Sequence, residues 1–283
     1  MNNASIALAP FPAESIILSD NRGMQTLSRL LPPLDWKSLA LDLIESARTR
    51  RILLCTGFPV GGHPETDGPP GTLMLASALH RLGAHVALVS IASVLDAVEG
   101  LPQMEGVEKC EIPAGKASPR IDGVPVTIEI CGRVKDCTYR NMRHVDISTT
   151  APWIEGAIGE EALISVGDGG NEFGFGSAPE QWFLNFPVQQ PVSRCRYLVP
   201  AEVSNWGALA IVAFLEKITR KRLMPKAESY AALLEELVHR GMVDGVSGEK
   251  KATEDGFATS MVAEVIGTLT AWARDVPPEL SST

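Results

Sequence analysis

The apolar run Ala162-Leu163-Ile164-Ser165-Val166 ends abruptly in Gly167-Asp168-Gly169-Gly170-Asn171-Glu172-Phe173-Gly174-Phe175-Gly176. A short uninterrupted apolar run reads as a strand buried on both faces, which demands helices above and below it. The five glycines in the ten residues that follow allow backbone to approach something small and polar. Asp168, Asn171 and Glu172 lie inside that loop, so the turn carries chemistry as well as geometry. A second apolar run, Arg51 to Thr56, leads into another loop rich in glycine, proline and acid, from Gly57 to Gly71.

Around these two runs the pattern alternates. Leu73, Ala76, Leu79 and Leu82 mark one face of a helix over 72–82, stopped by Gly83. Strands are expected at 86–89, 126–130, 162–166 and 196–199. Helices are expected at 206–218, 228–240 and 258–274, and residues 13–50 read as helical. Strands alternating with helices predict an α/β fold, a mostly parallel sheet flanked by helices in a Rossmann-like three-layer arrangement, with helical additions at both termini. One domain over 1–283 is expected. Ligands in such sheets bind beyond the carboxyl ends of the strands, where both acid-bearing loops fall.

Composition excludes several classes. Of the 283 residues 45% are hydrophobic and 21% charged, an ordinary globular balance. The formal charge of −9, with no longer basic cluster than Arg220-Lys221-Arg222, argues against a nucleic-acid partner. No apolar stretch reaches the roughly 18 residues of a membrane span. Met1 to Pro12 has no basic leader, so neither a secretory signal nor a membrane association is expected. Five scattered cysteines without a Cys-x-x-Cys pair fit a reducing compartment, and cytoplasmic localisation is expected.

Four segments hold the candidate residues. Glu65-Thr66-Asp67-Gly68-Pro69-Pro70-Gly71 precedes the helix at 72, whose backbone N–H groups are expected to attract an anion; Glu65 and Asp67 read equally well as caps. Residues 129–143 contain Arg133, Tyr139, Asn141 and Arg143, a mixture suited to clamping a carboxylate. Asp168 to Glu172 forms the third segment. Ser204-Asn205-Trp206-Gly207 is the fourth, and either Ser204 or Asn205 would serve as a helix N-cap.

Taken together, Thr56-Gly57-Phe58, Glu65 to Gly71, Gly132-Arg133 with Tyr139-x-Asn141-Met142-Arg143, Gly167 to Glu172 and Ser204 to Gly207 resemble the D-glutamate cyclase family, specifically its C-terminal cyclase domain. Asp20-x-Arg22-Gly23 resembles the family's N-terminal signature, and the likeness runs over about 13–272. Phe173 and Phe175 stand where the family usually has aliphatic residues, Cys131 and Cys137 where proline and glycine are expected, and Ala208 where a second glycine is common.

The resemblance implies a lyase that converts D-glutamate to 5-oxo-D-proline by intramolecular dehydration. Asp67 or Asp168 would then hold and deprotonate the ammonium, and Glu172 would protonate the leaving oxygen. Arg133 or Arg143 would anchor the α-carboxylate, and Asn171, Asn205 and the N–H groups of Gly68, Gly169 and Gly170 would meet the γ-carboxyl. Glu65, Thr66, Tyr139, Asn141 and Ser204 complete the expected substrate contacts. Mg²⁺ or Mn²⁺ held by Glu65, Asp67, Asp168 and Glu172 is an alternative use of the same acids. A non-catalytic acidic amino-acid-binding protein and a nucleotide-dependent enzyme are the rival readings. The expected partner is a small acidic amino acid, with homo-oligomerisation left open.

Overall fold

The computed structural model describes residues 11, 12, 17, 18, 22–186 and 188–275. Its centre is a six-stranded sheet built from β1 (Ile52–Cys55), β4 (Val86–Ser90), β5 (Val107–Glu111), β6 (Val124–Ile128), β7 (Glu161–Gly167) and β8 (Arg194–Pro200). The order is β5-β4-β1-β6-β7-β8, and each neighbouring pair is parallel. Ile52 stands beside Val86 on one side and Val124 on the other, while Val166 stands beside Val199.

Alternation along the central strands divides the core in two. Ile52, Leu54, Val86 and Leu88 enter the larger cluster, whereas Leu53, Cys55, Ala87 and Val89 enter the smaller one. These are the two faces of one sheet. The larger cluster is filled by α3 (Pro69–Arg81) and α7 (Ser204–Thr219), with α2 (Trp36–Thr49) and α9 (Thr259–Arg274) contributing. From Ser204 to Lys217 every residue of α7 is buried, which is why its sequence is apolar on most sides. Over the other face lie Ile112, Ile130 and the short α5 (Ile154–Ile158).

Most expected strands and helices appear within a few residues of their expected bounds. The expected strand at 126–130 instead runs Val124–Ile128, because Glu129 turns into the left-handed region at φ 45°. The expected helical stretch 13–50 resolves into α1 (Met24–Leu30) and α2, with 13–16 and 19–21, including Asp20, outside the described residues. β5 was not expected: Val107-Glu108-Lys109-Cys110-Glu111 lacks an apolar run because it is an edge strand, whose charges face solvent. The short α4 (Ala92–Val98) and α6 (Glu180–Phe183) were also unexpected, as were two hairpins, β2–β3 (Pro59–Val60, His63–Pro64) and β9–β10 (Thr253–Glu254, Phe257–Ala258). The remaining helix, α8, spans Ala227–His239. Among the described residues no helix is long and apolar enough to cross a membrane.

From β1 the chain builds outward through β4 and β5, then returns to build the other side through β6, β7 and β8. The direction reverses between β1 and β6, so a crevice is expected beyond the carboxyl ends of those two strands.

Candidate active site

A cavity of about 280 Å³ opens there, lined by residues that follow directly on the sheet: Phe58 after β1, Glu129 after β6 and Asp168, Asn171 and Glu172 after β7. Glu65, Asn141, Met142 and Arg143 complete one side. Arg22 and Asp255 enter from segments far away in sequence. Five acids and two arginines therefore face one small space.

The loop after β7 wraps around its own acid. Both oxygens of Glu172 accept backbone N–H bonds, from Gly169 and Gly170, each at 2.8 Å. A Cβ on Gly167 would fall 2.7 Å from the Glu172 carboxylate, and one on Gly169 2.9 Å, so only glycine allows this return. The nest that a nucleotide enzyme would offer to pyrophosphate is thus filled by the chain's own carboxylate. Burial raises the Glu172 pKa, while these N–H bonds work against the rise by favouring the charged form.

Asp67 lies beneath the cavity rather than on its wall. One of its oxygens accepts from Ser204 N at 2.7 Å, the other from Asn205 N at 2.8 Å and Gly68 N at 2.9 Å. The start of α7 is therefore capped by an acid 137 residues earlier, and neither Ser204 nor Asn205 takes the expected capping role. Asn205 instead turns its Oδ1 to Gly68 N and Gly71 N, at 3.0 and 2.7 Å. The α3 terminus expected to attract an anion is satisfied internally by Asn205 and Asp67. Gly68 is required at φ 96°, since a Cβ would stand 2.6 Å from Thr56 Oγ1 and 2.7 Å from Glu129 Cβ.

Below this, Glu254 accepts from Tyr230 Oη at 2.6 Å, and from Asn205 Nδ2 and Trp206 Nε1 at 3.0 Å each. Its burial pushes its pKa up to about 8. Burial likewise raises Asp67 to about 7, with the Asp255 charge adding and the Asn205 and Ser204 N–H groups opposing.

Glu129 is the group sequence reasoning passed over. Its Oε2 accepts from Ser204 Oγ at 2.7 Å, and its pKa stands well above the carboxylate range through burial and the charges of Glu172 and Asp67. A buried glutamate with φ 45° sits in a costly backbone conformation, of the kind that gathers at functional sites. One carboxyl oxygen each from Asp67, Glu129 and Asp168 lie within 4.8 Å of one another. Asp168 is raised by burial, opposed by the adjacent Arg22.

Arg22 donates from Nη1 to Asp168 and, at 2.6 Å, to Asp255. Asp255 is delivered by the β9–β10 turn, where Asp255 and Gly256 have φ 50° and 83°. Asp-Gly is the strongest short hairpin signal in a sequence, and it was available to find this residue. Arg22 was part of a signature but had no assigned role.

Several expected contacts lie elsewhere. Arg133 does not line the cavity; its guanidinium pairs with Glu160 and contacts Cys137. The Tyr139 hydroxyl donates to Glu155 at 2.6 Å, beneath the Trp153 ring. Thr66 Oγ1 donates to Thr253 O, holding the β9–β10 hairpin to the loop. Asn141 Oδ1 accepts from Arg143 N and Val145 N, shaping the turn that carries Arg143 to the mouth. Cys131 and Phe173 and Phe175 are fully buried, away from the cavity wall.

Among the described residues, two buried polar atoms on the cavity residues have no hydrogen-bond partner, Glu65 Oε1 and Asn171 Oδ1. Both are acceptors, so the cavity asks for a donor or a cation.

Residues 13–270 match the family model described as D-glutamate cyclase-like, C-terminal. The human protein named D-glutamate cyclase, mitochondrial, is 31% identical over 209 residues, covering 60% of this chain. The chain spans about a third of that relative's length, the aligned share being 33%. A solved structure, RecJ in complex with Mn²⁺ from Thermus thermophilus, aligns over 86% of this chain and 38% of its own, at 16% identity and a TM-score of 0.33.

Proposed function

Because the chain belongs to the D-glutamate cyclase-like family, we propose that its cavity closes D-glutamate into 5-oxo-D-proline with loss of water. The observation that carries this reading is the surplus of buried acids over cations around a cavity with two unpartnered acceptors. An ammonium supplies the missing positive charge and the missing donors, and a dicarboxylate supplies the anions that two arginines would meet.

Asp168 is the group assigned to the ammonium, since it lines the cavity while both Asp67 oxygens are spent on backbone N–H groups. It accepts a proton from the nitrogen, whose freed lone pair attacks the γ-carboxyl carbon. The C–N bond forms as the carbonyl π pair moves to oxygen. On collapse one C–O bond breaks, and the departing oxygen needs two protons to leave as water. Glu129, whose pKa burial and neighbouring charge push up, is assigned that donation in place of Glu172, whose oxygens the loop N–H groups occupy. Nitrogen loses two protons over the cycle and oxygen gains two, and the close approach of the Asp168 and Glu129 oxygens allows the return transfer. Folding both reacting groups of one molecule into a small cavity supplies proximity.

Incubating the protein separately with D- and L-glutamate, with mass detection of the dehydrated ring, tests the reading. Product from the D-isomer is expected; binding of D-glutamate without product would make this a binding protein instead. Asp168→Asn and Glu129→Gln are each expected to cut turnover by about 10²-fold or more.

A second reading rests on the three clustered oxygens of Asp67, Glu129 and Asp168, with the unbonded Glu65 Oε1 on the same cavity. Hard oxygen donors at that spacing fit Mg²⁺ or Mn²⁺, which when bound would polarise the γ-carboxyl. Loss of turnover with a chelator and recovery with either ion would support it; turnover indifferent to chelation removes it.

A further inference from the structure

Arg22 makes both of its ion pairs through a single nitrogen. Nη1 donates to Asp168 and to Asp255, and the two carboxylates are almost fully buried, at 4% and 5% exposure. Among the described residues, Nε and Nη2 find no hydrogen-bond partner, although the residue lines the cavity. A lysine would serve for a contact made by one nitrogen. A guanidinium fixed at one corner keeps a planar edge of further N–H groups, the shape that meets a carboxylate with two parallel bonds.

The position of that edge selects which carboxylate. Ring closure joins the nitrogen to the γ-carboxyl carbon, so whatever holds the γ-carboxyl must stand next to whatever holds the nitrogen. Arg22 is in contact with Asp168, the group assigned to the nitrogen. Arg143 is exposed at the mouth, on the turn shaped by Asn141, and suits the α-carboxylate, which takes no part in bond making.

We propose that the outer edge of Arg22 holds the γ-carboxylate of the substrate, making Arg22 the residue that requires the substrate to be a dicarboxylic amino acid. This rests on the cyclisation reading above. A free carboxylate resists attack because its charge is shared over both oxygens; pairing with a fixed cation concentrates the negative charge toward the guanidinium and leaves the carbon open to the amine. The carboxylates of Asp168 and Asp255 keep the guanidinium in place through Nη1 and leave its other nitrogens to the substrate.

The test compares D-glutamate with its γ-methyl ester, which shares the ammonium and α-carboxylate and gives the same ring with methanol as the leaving group. In Arg22→Gln, kcat/KM for D-glutamate is expected to fall about 10²-fold or more, the scale of losing a charge-directed donor. For the ester, already neutral at the γ-carbonyl, the fall is expected to be at least about tenfold smaller. Arg143→Gln is expected to lower both substrates alike. Circular dichroism checks folding; should Arg22→Gln not fold, Arg22→Lys retains the charge and loses the planar edge, and the same glutamate-selective loss is expected. Equal losses on both substrates, or a glutamate-selective loss in Arg143→Gln instead, would overturn the proposal while leaving cyclisation intact. A wild-type protein that closes neither compound overturns the cyclisation reading itself, and the inference with it.

Discussion

Two layers of acids lie one behind the other at the carboxyl end of the sheet, and they are finished differently. In the deeper layer Asp67 accepts three backbone N–H bonds and Glu254 three side-chain bonds, so both oxygens of each carboxylate are already engaged by the protein. In the outer layer, among the described residues, Glu65 Oε1 and Asn171 Oδ1 are unpartnered and Arg22 makes its hydrogen bonds through one nitrogen. The contrast separates residues that build the site from residues that await a substrate. It also shows that an acid in a family motif need not touch the reaction: Asp67 acts by fixing where two helices begin.

Substitution at one position in each layer gives the largest contrast. Asp67→Ala leaves the Ser204 and Asn205 N–H groups buried without a partner, at about 1–3 kcal/mol each. Its unfolding free energy is expected to fall by about 4 kcal/mol, measured by urea denaturation. Asp168→Asn is expected to abolish turnover with a far smaller shift of the midpoint, since Arg22 keeps Asp255. If the two variants lose stability equally, the layers do not differ in kind.

Proton linkage sharpens the same comparison. Glu254 rises from 4.5 to about 8 in the folded protein, so between those values the native state holds a proton that the unfolded chain has released. Its contribution to stability is complete at low pH and is lost as pH rises toward 8. Asp67, raised from 3.8 to about 7, acts in the same direction. Glu254→Gln removes the first effect, so the unfolding free energy of the variant relative to wild type should climb between about pH 5 and about pH 8.5, by about 4 kcal/mol. A difference that stays flat across that range would mean Glu254 is ionised throughout, and the deep layer would then carry a fixed charge.

Much of the architecture was legible because buried parallel strands are written as apolar runs, and three of those runs, β1, β6 and β7, ended in loops that reached the cavity. β5 was not, since an edge strand needs charges more than it needs hydrophobes. For the site, the glycines around Asp67 and Asp168 marked places where backbone closes on a carboxylate, and Glu65, Asp168, Asn171 and Glu172 stand on the cavity wall. Which arginine faces inward was not legible. Arg133 and Arg140 sit in the same basic segment as Arg143, yet Glu160 and Asp136 draw the first two outward; Asp136 is a local partner four residues away, while Glu160 is brought to Arg133 only by the fold. Glu129 was hidden for a similar reason: it reads as the polar member of a strand until its left-handed backbone turns it toward the crevice.

The smallest effects are expected from the phenylalanines that depart from the family pattern. Phe173 and Phe175 flank Gly174 in the loop that carries Asp168 and Glu172, so a change of substrate is the obvious suspicion. Both rings are fully buried and neither lines the cavity: Phe173 packs into the smaller core cluster and Phe175 into the larger. A Cβ on Gly167 would meet the Phe175 ring at 2.5 Å, which places that ring against the backbone of the loop from behind. Restoring aliphatic side chains with Phe173→Leu and Phe175→Met changes core volume only, with an expected cost of up to about 1.5 kcal/mol each and KM within about twofold of wild type. A shift in preference between D-glutamate and another acidic amino acid in either variant would show that these rings shape the cavity through the loop, and that the line between supporting and reacting layers must be drawn further back.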